Sequence, residues 1–167
     1  APTVADAVET YIERYAKVHK KDWRKDQQRL NKHIIPRIGD LRLEQLERRI
    51  VVDALDQIGG PVQRNRVLAA FRKALGFAVQ RGRIESNPAA GISKEPETPK
   101  SRALEDDEIG QFLELLWADD RLYSPTAWAL EIMLRTAQRG GEVRLMRWEH
   151  LDWQAAEWLV PGENAKN

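Results

Sequence analysis

The chain has 167 residues and a mass of 19.2 kDa, room for one large domain or two small ones. Hydrophobic residues make up 42% and charged residues 32%, which supports a packed core and argues against disorder. The absence of cysteine excludes a disulfide scaffold, a cysteine-ligated zinc site and a thiol nucleophile. No apolar run approaches the ~18 residues of a membrane span, and the N-terminus lacks a signal peptide's apolar stretch, so the expected setting is the cytoplasm. The net charge of +1 conceals an asymmetry. Residues 1–97 carry 19 Lys and Arg against 13 Asp and Glu, whereas residues 98–167 carry 8 against 13. A half at +6 beside a half at −5 fits either a surface that meets a polyanion or a solvated basic face.

Thr3 precedes Val4-Ala5-Asp6 in the spacing of a capping box, and Val4, Ala7, Val8, Tyr11, Ile12 and Tyr15 then follow helical spacing. A second helix is predicted from Lys21 to Ile34, stopping at Pro36 and Gly39, and a third from Glu44 to Ile58. The fourth starts at Pro61, suited to a first helical turn, and runs to about Gln80 before Gly82 stops it. Lys94-Glu-Pro-Glu-Thr-Pro-Lys100 has two prolines and no apolar residue, as an exposed, semi-rigid linker does. The resulting division is a helical domain at 1–93, a linker at 94–102 and a second domain at 103–167. In the second domain an acidic cluster before Ile109 opens a helix that continues through Trp117. Another helix is predicted from Pro125 to Ala137, then a tight turn at Gln138-Arg-Gly-Gly-Glu142 into a short helix. Glu157-Trp-Leu-Val160 reads as a strand whose partner is expected to follow it.

Two helices separate an apolar face from a basic one. In the fourth, Val67, Leu68, Phe71, Ala74, Leu75 and Ala78 form one stripe, and Asn65, Arg66, Ala69, Arg72, Lys73, Gly76 and Gln80 lie opposite. In the second, Trp23, Leu30 and Ile34 face inward, with Lys21, Arg24, Lys25, Gln28 and Lys32 outward. Small residues among cations let a helix approach a duplex closely, and Arg, Asn and Gln are the side chains that read base edges. Lysines and arginines on such a face neutralise phosphates. Two solvated faces on a bundle account for the same pattern, and the residues alone leave both readings standing.

Four segments resemble one family. Asn65 to Gly91 is similar to the core-binding domain of phage-type integrases, the tyrosine recombinases, and His33-Ile-Ile-Pro-Arg-Ile-Gly-Asp40 resembles the turn after their second helix. Arg102 to Ile109 resembles the opening of their catalytic domain, and Thr136 to Trp148 the segment with their first catalytic arginine. The motifs stand in the family's order over nearly the whole chain. The resemblance implies a mainly α fold: a four-to-five-helix, SAM-like core-binding domain followed by a truncated α+β catalytic domain. The expected subgroup is the integrases of satellite prophages and genomic islands.

By the same resemblance Arg139 matches the first catalytic arginine, Glu142 is its supporting neighbour, and Lys166 matches the lysine of a β-hairpin. The family usually has Gly where this chain has Ala137. Residue chemistry fits these roles. A guanidinium holds two non-bridging oxygens of a phosphodiester as charge builds on them, and a lysine at the leaving 5′ oxygen acts as general acid. In the family a tyrosine forms a covalent 3′-phosphotyrosine intermediate. No cofactor or metal is implied, and His19, His33 and His150 lack ligand spacing. The family's second arginine and its tyrosine follow the lysine hairpin, so these 167 residues are expected to bind DNA without cutting it. The implied partners are duplex DNA at an attachment site and three further protomers of the parent, with no membrane and no small-molecule substrate. Two other readings remain open: a DNA-binding regulator without chemistry, and a helical protein–protein adaptor. On the residues alone, Arg139 also reads as a turn arginine paired with Glu142, and the tryptophans as core and subdomain-packing residues, with Trp23 open to a place against a DNA backbone.

Overall fold

The computed structural model describes residues 1–99, 102–118 and 123–165. The chain forms two compact units, Ala1–Pro99 and Lys100–Asn167. The structure is mainly helical, as the resemblance implies.

The first unit opens with α1 (Val4–Tyr11), capped as its sequence predicts. Thr3 Oγ1 accepts from the Asp6 N–H at 3.2 Å, and the Asp6 carboxylate accepts from the Thr3 N–H at 2.8 Å. That backbone donor holds the Asp6 carboxyl below its usual range. The N–H groups of Val4 and Ala5, left over at the helix start, donate to the carbonyls of Leu41 and Gly39, both at 2.9 Å. The helix passes through a π-helical turn (Ile12–Ala16) into α2 (Lys17–His19), extending beyond the predicted Tyr15. Next come α3 (Trp23–His33) and α4 (Ile35–Ile38). The predicted second helix ends at its C-cap, Ile34, as expected, but Pro36 then sits in the first turn of a new short helix, α4, where no N–H is missed. The predicted third helix is in fact two pieces, a 3₁₀ turn (Leu43–Gln45) and α5 (Arg48–Asp56).

The longest element is α6 (Pro61–Gln80), with the predicted bounds. Its stop is Gly82 at φ +63°, a conformation that glycine adopts without strain. All six residues of the predicted stripe are buried, with Phe71, Val67, Leu68, Ala74 and Leu75 fully so. They pack against Val4, Val8, Tyr11, Leu30, Ile34, Val51 and Leu55 in one hydrophobic core.

In the second unit α7 (Asp106–Ala118), α8 (Ser124–Thr136) and α9 (Gly140–Arg144) follow, close to the predicted bounds. Strands β1 (Leu151–Asp152) and β2 (Glu157–Trp158) pair antiparallel, Leu151 opposite Trp158. The strand at Glu157 thus has a partner upstream, across a tight turn, which the sequence pattern alone does not place. Among the described residues of this unit only Leu116, Ala127 and Val143 are buried apolar side chains. Trp117, Trp128, Trp148 and Trp153 are exposed, so these four are not core residues. Trp148 and Trp153 stack at 6.3 Å.

Candidate nucleic-acid interface

Helices α3 and α6 are neighbours running in opposite senses. At one end Gln63 Nε2 lies 3.2 Å from His33 Nε2. Toward the other, Lys73 of α6 stands 4.8 Å over the Tyr15 ring, and Lys17 stands 5.0 Å over the ring of Trp23. The outward residues predicted for α3 are exposed: Lys21 just before the helix, then Arg24, Lys25, Gln28 and Lys32. Arg24 also lies over Trp23, 4.6 Å from the ring centroid, so two cations meet that one ring. Lys25 pairs loosely with Asp22 at 3.1 Å, both well exposed.

A buried carboxylate anchors this surface. Asp26, on the inner side of α3, accepts from the Tyr11 hydroxyl at 3.0 Å and from Lys20, with Arg29 at 3.7 Å. Burial, and then the Asp26 charge, push the Tyr11 hydroxyl above its ordinary pKa, so it stays a donor. The periodicity of α3 did not single out Asp26; a carboxylate within a run of six cations was the available signal.

The face of α6 divides into two groups. Arg66 and Lys73 are exposed, and Arg66 makes no hydrogen bond or ion pair with the described residues. Asn65 and Arg72, predicted on the same open face, are instead engaged within the unit. Asn65 is only 2% exposed; its amide donates to the Glu95 carbonyl and the Glu97 carboxylate, both at 2.8 Å. Arg72 Nε donates to the Ala89 carbonyl at 3.0 Å, and a second guanidinium nitrogen donates to that of Ile92. The segment after α6 folds back over this part of the helix, so Glu95 and Glu97 of the predicted linker are bonded to the first unit. It also carries Lys94 to a shallow groove lined by Ala69, Arg72, Lys73, Gly76, Phe77 and Gln80. The sequence reading missed Lys94, which it had placed in the linker.

In the second unit, Arg139 precedes the first turn of α9. Its N–H donates to Glu142 Oε2 at 2.8 Å, and its guanidinium lies 3.3 Å from Glu142 Oε1. Glu142 is buried, whereas the Arg139 side chain is 66% exposed. A buried carboxylate thus orients a guanidinium whose remaining N–H groups face solvent. Two residues upstream, Ala137 has φ +54° and ψ 21°, the left-handed conformation in which glycine is at home. Lys166 lies outside the described residues. His150 Nδ1 accepts from the Arg147 N–H at 3.3 Å, a local turn contact. No group of three or more His, Asp and Glu able to hold a metal occurs among the described residues, and no described helix is long and apolar enough to cross a membrane.

This is the fold of the integrases. Over 92% of this chain and 46% of the other, it matches lambda integrase from a crystal structure of the tetramer bound to a Holliday junction, with a TM-score of 0.79 at 18% identity. The integrase of transposon Tn1549, solved with circular-intermediate DNA, matches over 96% of this chain and 54% of that one, with a TM-score of 0.74 at 18% identity. The phage integrase central domain model matches residues 4–95, and the chain belongs to this family of tyrosine recombinases. Among curated proteins it is 29% identical to the integrase of Enterobacteria phage P4 over 140 residues, 80% of this chain and 32% of that protein. It is 26% identical to a prophage integrase of Escherichia coli over 147 residues, 82% of this chain and 34% of the relative. The chain therefore spans about a third of the length of the curated relatives it matches.

Proposed function

We propose that the first unit binds duplex DNA at an attachment site through the outward faces of α3 and α6, as part of a protein that integrates and excises a mobile element. The observation that carries this reading is the set of exposed cations along two adjacent helices: Lys21 just before one, with Arg24, Lys25 and Lys32 beside Gln28 on it, and Arg66 and Lys73 on the other. Lys94 joins them at the groove on α6. Asn65 and Arg72 act within the unit and support this surface from behind.

In the same reading Arg139 binds the non-bridging oxygens of the scissile phosphate, with Glu142 fixing its orientation, and Lys166 protonates the leaving 5′ oxygen. Attack by a tyrosine hydroxyl on phosphorus breaks the P–O5′ bond and leaves a 3′-phosphotyrosine; a 5′ hydroxyl from a partner strand reverses the step. The 167 residues bind without cutting. Tyr11 has its hydroxyl buried on Asp26, and Tyr15 lies beneath Lys73 in a cluster with His19 and Phe77. Four protomers on two duplexes, as in the lambda integrase tetramer, is the assembly proposed for the parent.

The test is affinity for duplex DNA against salt, for the chain and for the Arg66→Ala, Lys73→Ala double variant. Two lost phosphate contacts reduce the slope of log K against log salt by about 1.8. An unchanged slope moves the interface off α6. No binding at low salt refutes the reading and favours a protein–protein adaptor.

A further inference from the structure

The segment after α6 has no regular secondary structure between Asn87 and Glu97, yet its backbone carbonyls are taken up one after another by side chains. Arg72 donates to the carbonyls of Ala89 and Ile92, and Arg48 to those of Ala90 and Gly91 at 2.9 and 3.0 Å. Arg64, itself buried, reaches the Ser93 carbonyl at 3.4 Å and the Glu95 carboxylate at 3.0 Å. Asn87 fixes the start, donating to the Arg72 carbonyl and accepting from the Ala89 N–H, both at 2.9 Å. Asn65 closes the end. Its Oδ1 accepts from the Glu95 N–H at 2.9 Å while its Nδ2 donates to the Glu95 carbonyl at 2.8 Å. One amide side chain thus pairs with both backbone groups of Glu95, as a neighbouring strand would.

The two ends differ in kind. The Ala89 to Ile92 stretch is a hydrophobic anchor, with Ala89 0% and Ile92 6% exposed. Beyond it, Ser93, Lys94, Pro96 and Glu97 are exposed, and no apolar side chain is buried. This outer part is held by hydrogen bonds and ion pairs, with Asn65 the most buried of its partners.

We infer that residues 93–97 form a strap with two positions, docked on α6 or released, and that Asn65 is the latch between them. Docked, the strap ends at Glu97, and the connection to the second unit starts there. Released, the connection starts at Ile92 and gains five residues, about 17 Å of reach. The docked strap also brings Lys94 to the groove beside Lys73. If a polyanion occupies that groove, it binds the docked position better and shifts the strap toward it, shortening the connection. The latch stands independently of the DNA reading; only this coupling rests on it.

Amide hydrogen exchange on the full chain tests the strap. In the unmodified chain the Glu95 amide exchanges slowly and that of Thr98 exchanges fast. Asn65→Ala raises the Glu95 rate about ten- to a hundredfold and leaves the amides of Val67 to Ala78 slow, which reports an intact α6. Asn65→Asp, which keeps the acceptor but sets a carboxylate against Glu97, raises it as well and serves if the alanine variant does not fold. A Glu95 amide that exchanges freely in the unmodified chain, or as slowly in both variants, overturns the latch. Added duplex slows Glu95 further if the groove is coupled to it. Duplex that binds, by fluorescence anisotropy, without changing Glu95 refutes the coupling alone. Duplex that does not bind refutes the DNA reading and the coupling with it, and the latch is then judged on the variants.

Discussion

Arg72 distinguishes a side chain that touches DNA from one that builds the surface that does. Replacing it with alanine removes two charge-assisted donors, to Ala89 and Ile92, and leaves both carbonyls without a protein partner. Each orphaned carbonyl costs about 1–3 kcal/mol when buried, and bonds from a charged donor lie at the upper end of that range. Ala90, Gly91 and Ser93 beside them are exposed, so water reaches part of the gap and reduces the cost. The expected net loss is about 2–3 kcal/mol, which for a unit of ~100 residues lowers the melting temperature by about 10–20 °C. Arg66→Ala, at an exposed position, changes stability by less than about 0.5 kcal/mol. Thermal melts followed by far-UV circular dichroism measure the first effect, and salt titrations with duplex the second. Arg66→Ala reduces the salt slope by about 0.9, whereas Arg72→Ala leaves it within a few tenths of the unmodified value. An Arg72→Ala chain that melts like the unmodified one but loses a full phosphate from its salt slope refutes the assignment.

Two further predictions concern the other unit and pH. Ala137→Gly relieves the left-handed backbone at that position and stabilises the second unit by about 1 kcal/mol, read as a higher urea midpoint; a lower midpoint would show that the strain is not there. His33 has its pKa lowered, first by burial and then by Lys32 and Arg37, and as a neutral ring it accepts from Gln63. The unfolded chain therefore binds the proton more readily. His33 contributes fully above its ordinary pKa of about 6.5, and the contribution is lost as pH falls through the lower folded value. A pH series of melts should show this decline in the unmodified chain and a flatter profile in His33→Asn; parallel profiles would remove His33 as its source.

The parts of the structure governed by local periodicity were legible in the sequence. Pro61 and Gly82 bracket α6, and its stripe from Val67 to Ala78 is the buried one, because a single long helix must turn its apolar side to the core. Asn65 and Arg72 were misplaced for a physical reason. A helical wheel sorts residues by angle and treats every polar sector as solvent, but an irregular segment can cover a polar sector if side chains satisfy its backbone. Asn87-Pro88, a turn signal just after α6, was the hint that the chain reverses there. The break of the third predicted helix into Leu43–Gln45 and Arg48–Asp56 was hidden because Leu43, Leu46, Val51 and Leu55 all suit one apolar face. The Arg139 turn came from resemblance; its Glu142 partner follows from spacing, since a carboxylate three residues on reaches back to the N–H before the helix.

The placement of the six tryptophans gives the chain two separate optical reporters. Trp23 alone belongs to the first unit, between Lys17 and Arg24; Trp117, Trp128, Trp148, Trp153 and Trp158 all lie in the second. Intrinsic emission consequently follows the second unit almost exclusively, while ellipticity is weighted toward the first, which holds most of the described helical residues. If the units lose structure independently, the two signals change at different denaturant concentrations, and fitting either one to a single folded–unfolded equilibrium returns a free energy belonging to neither.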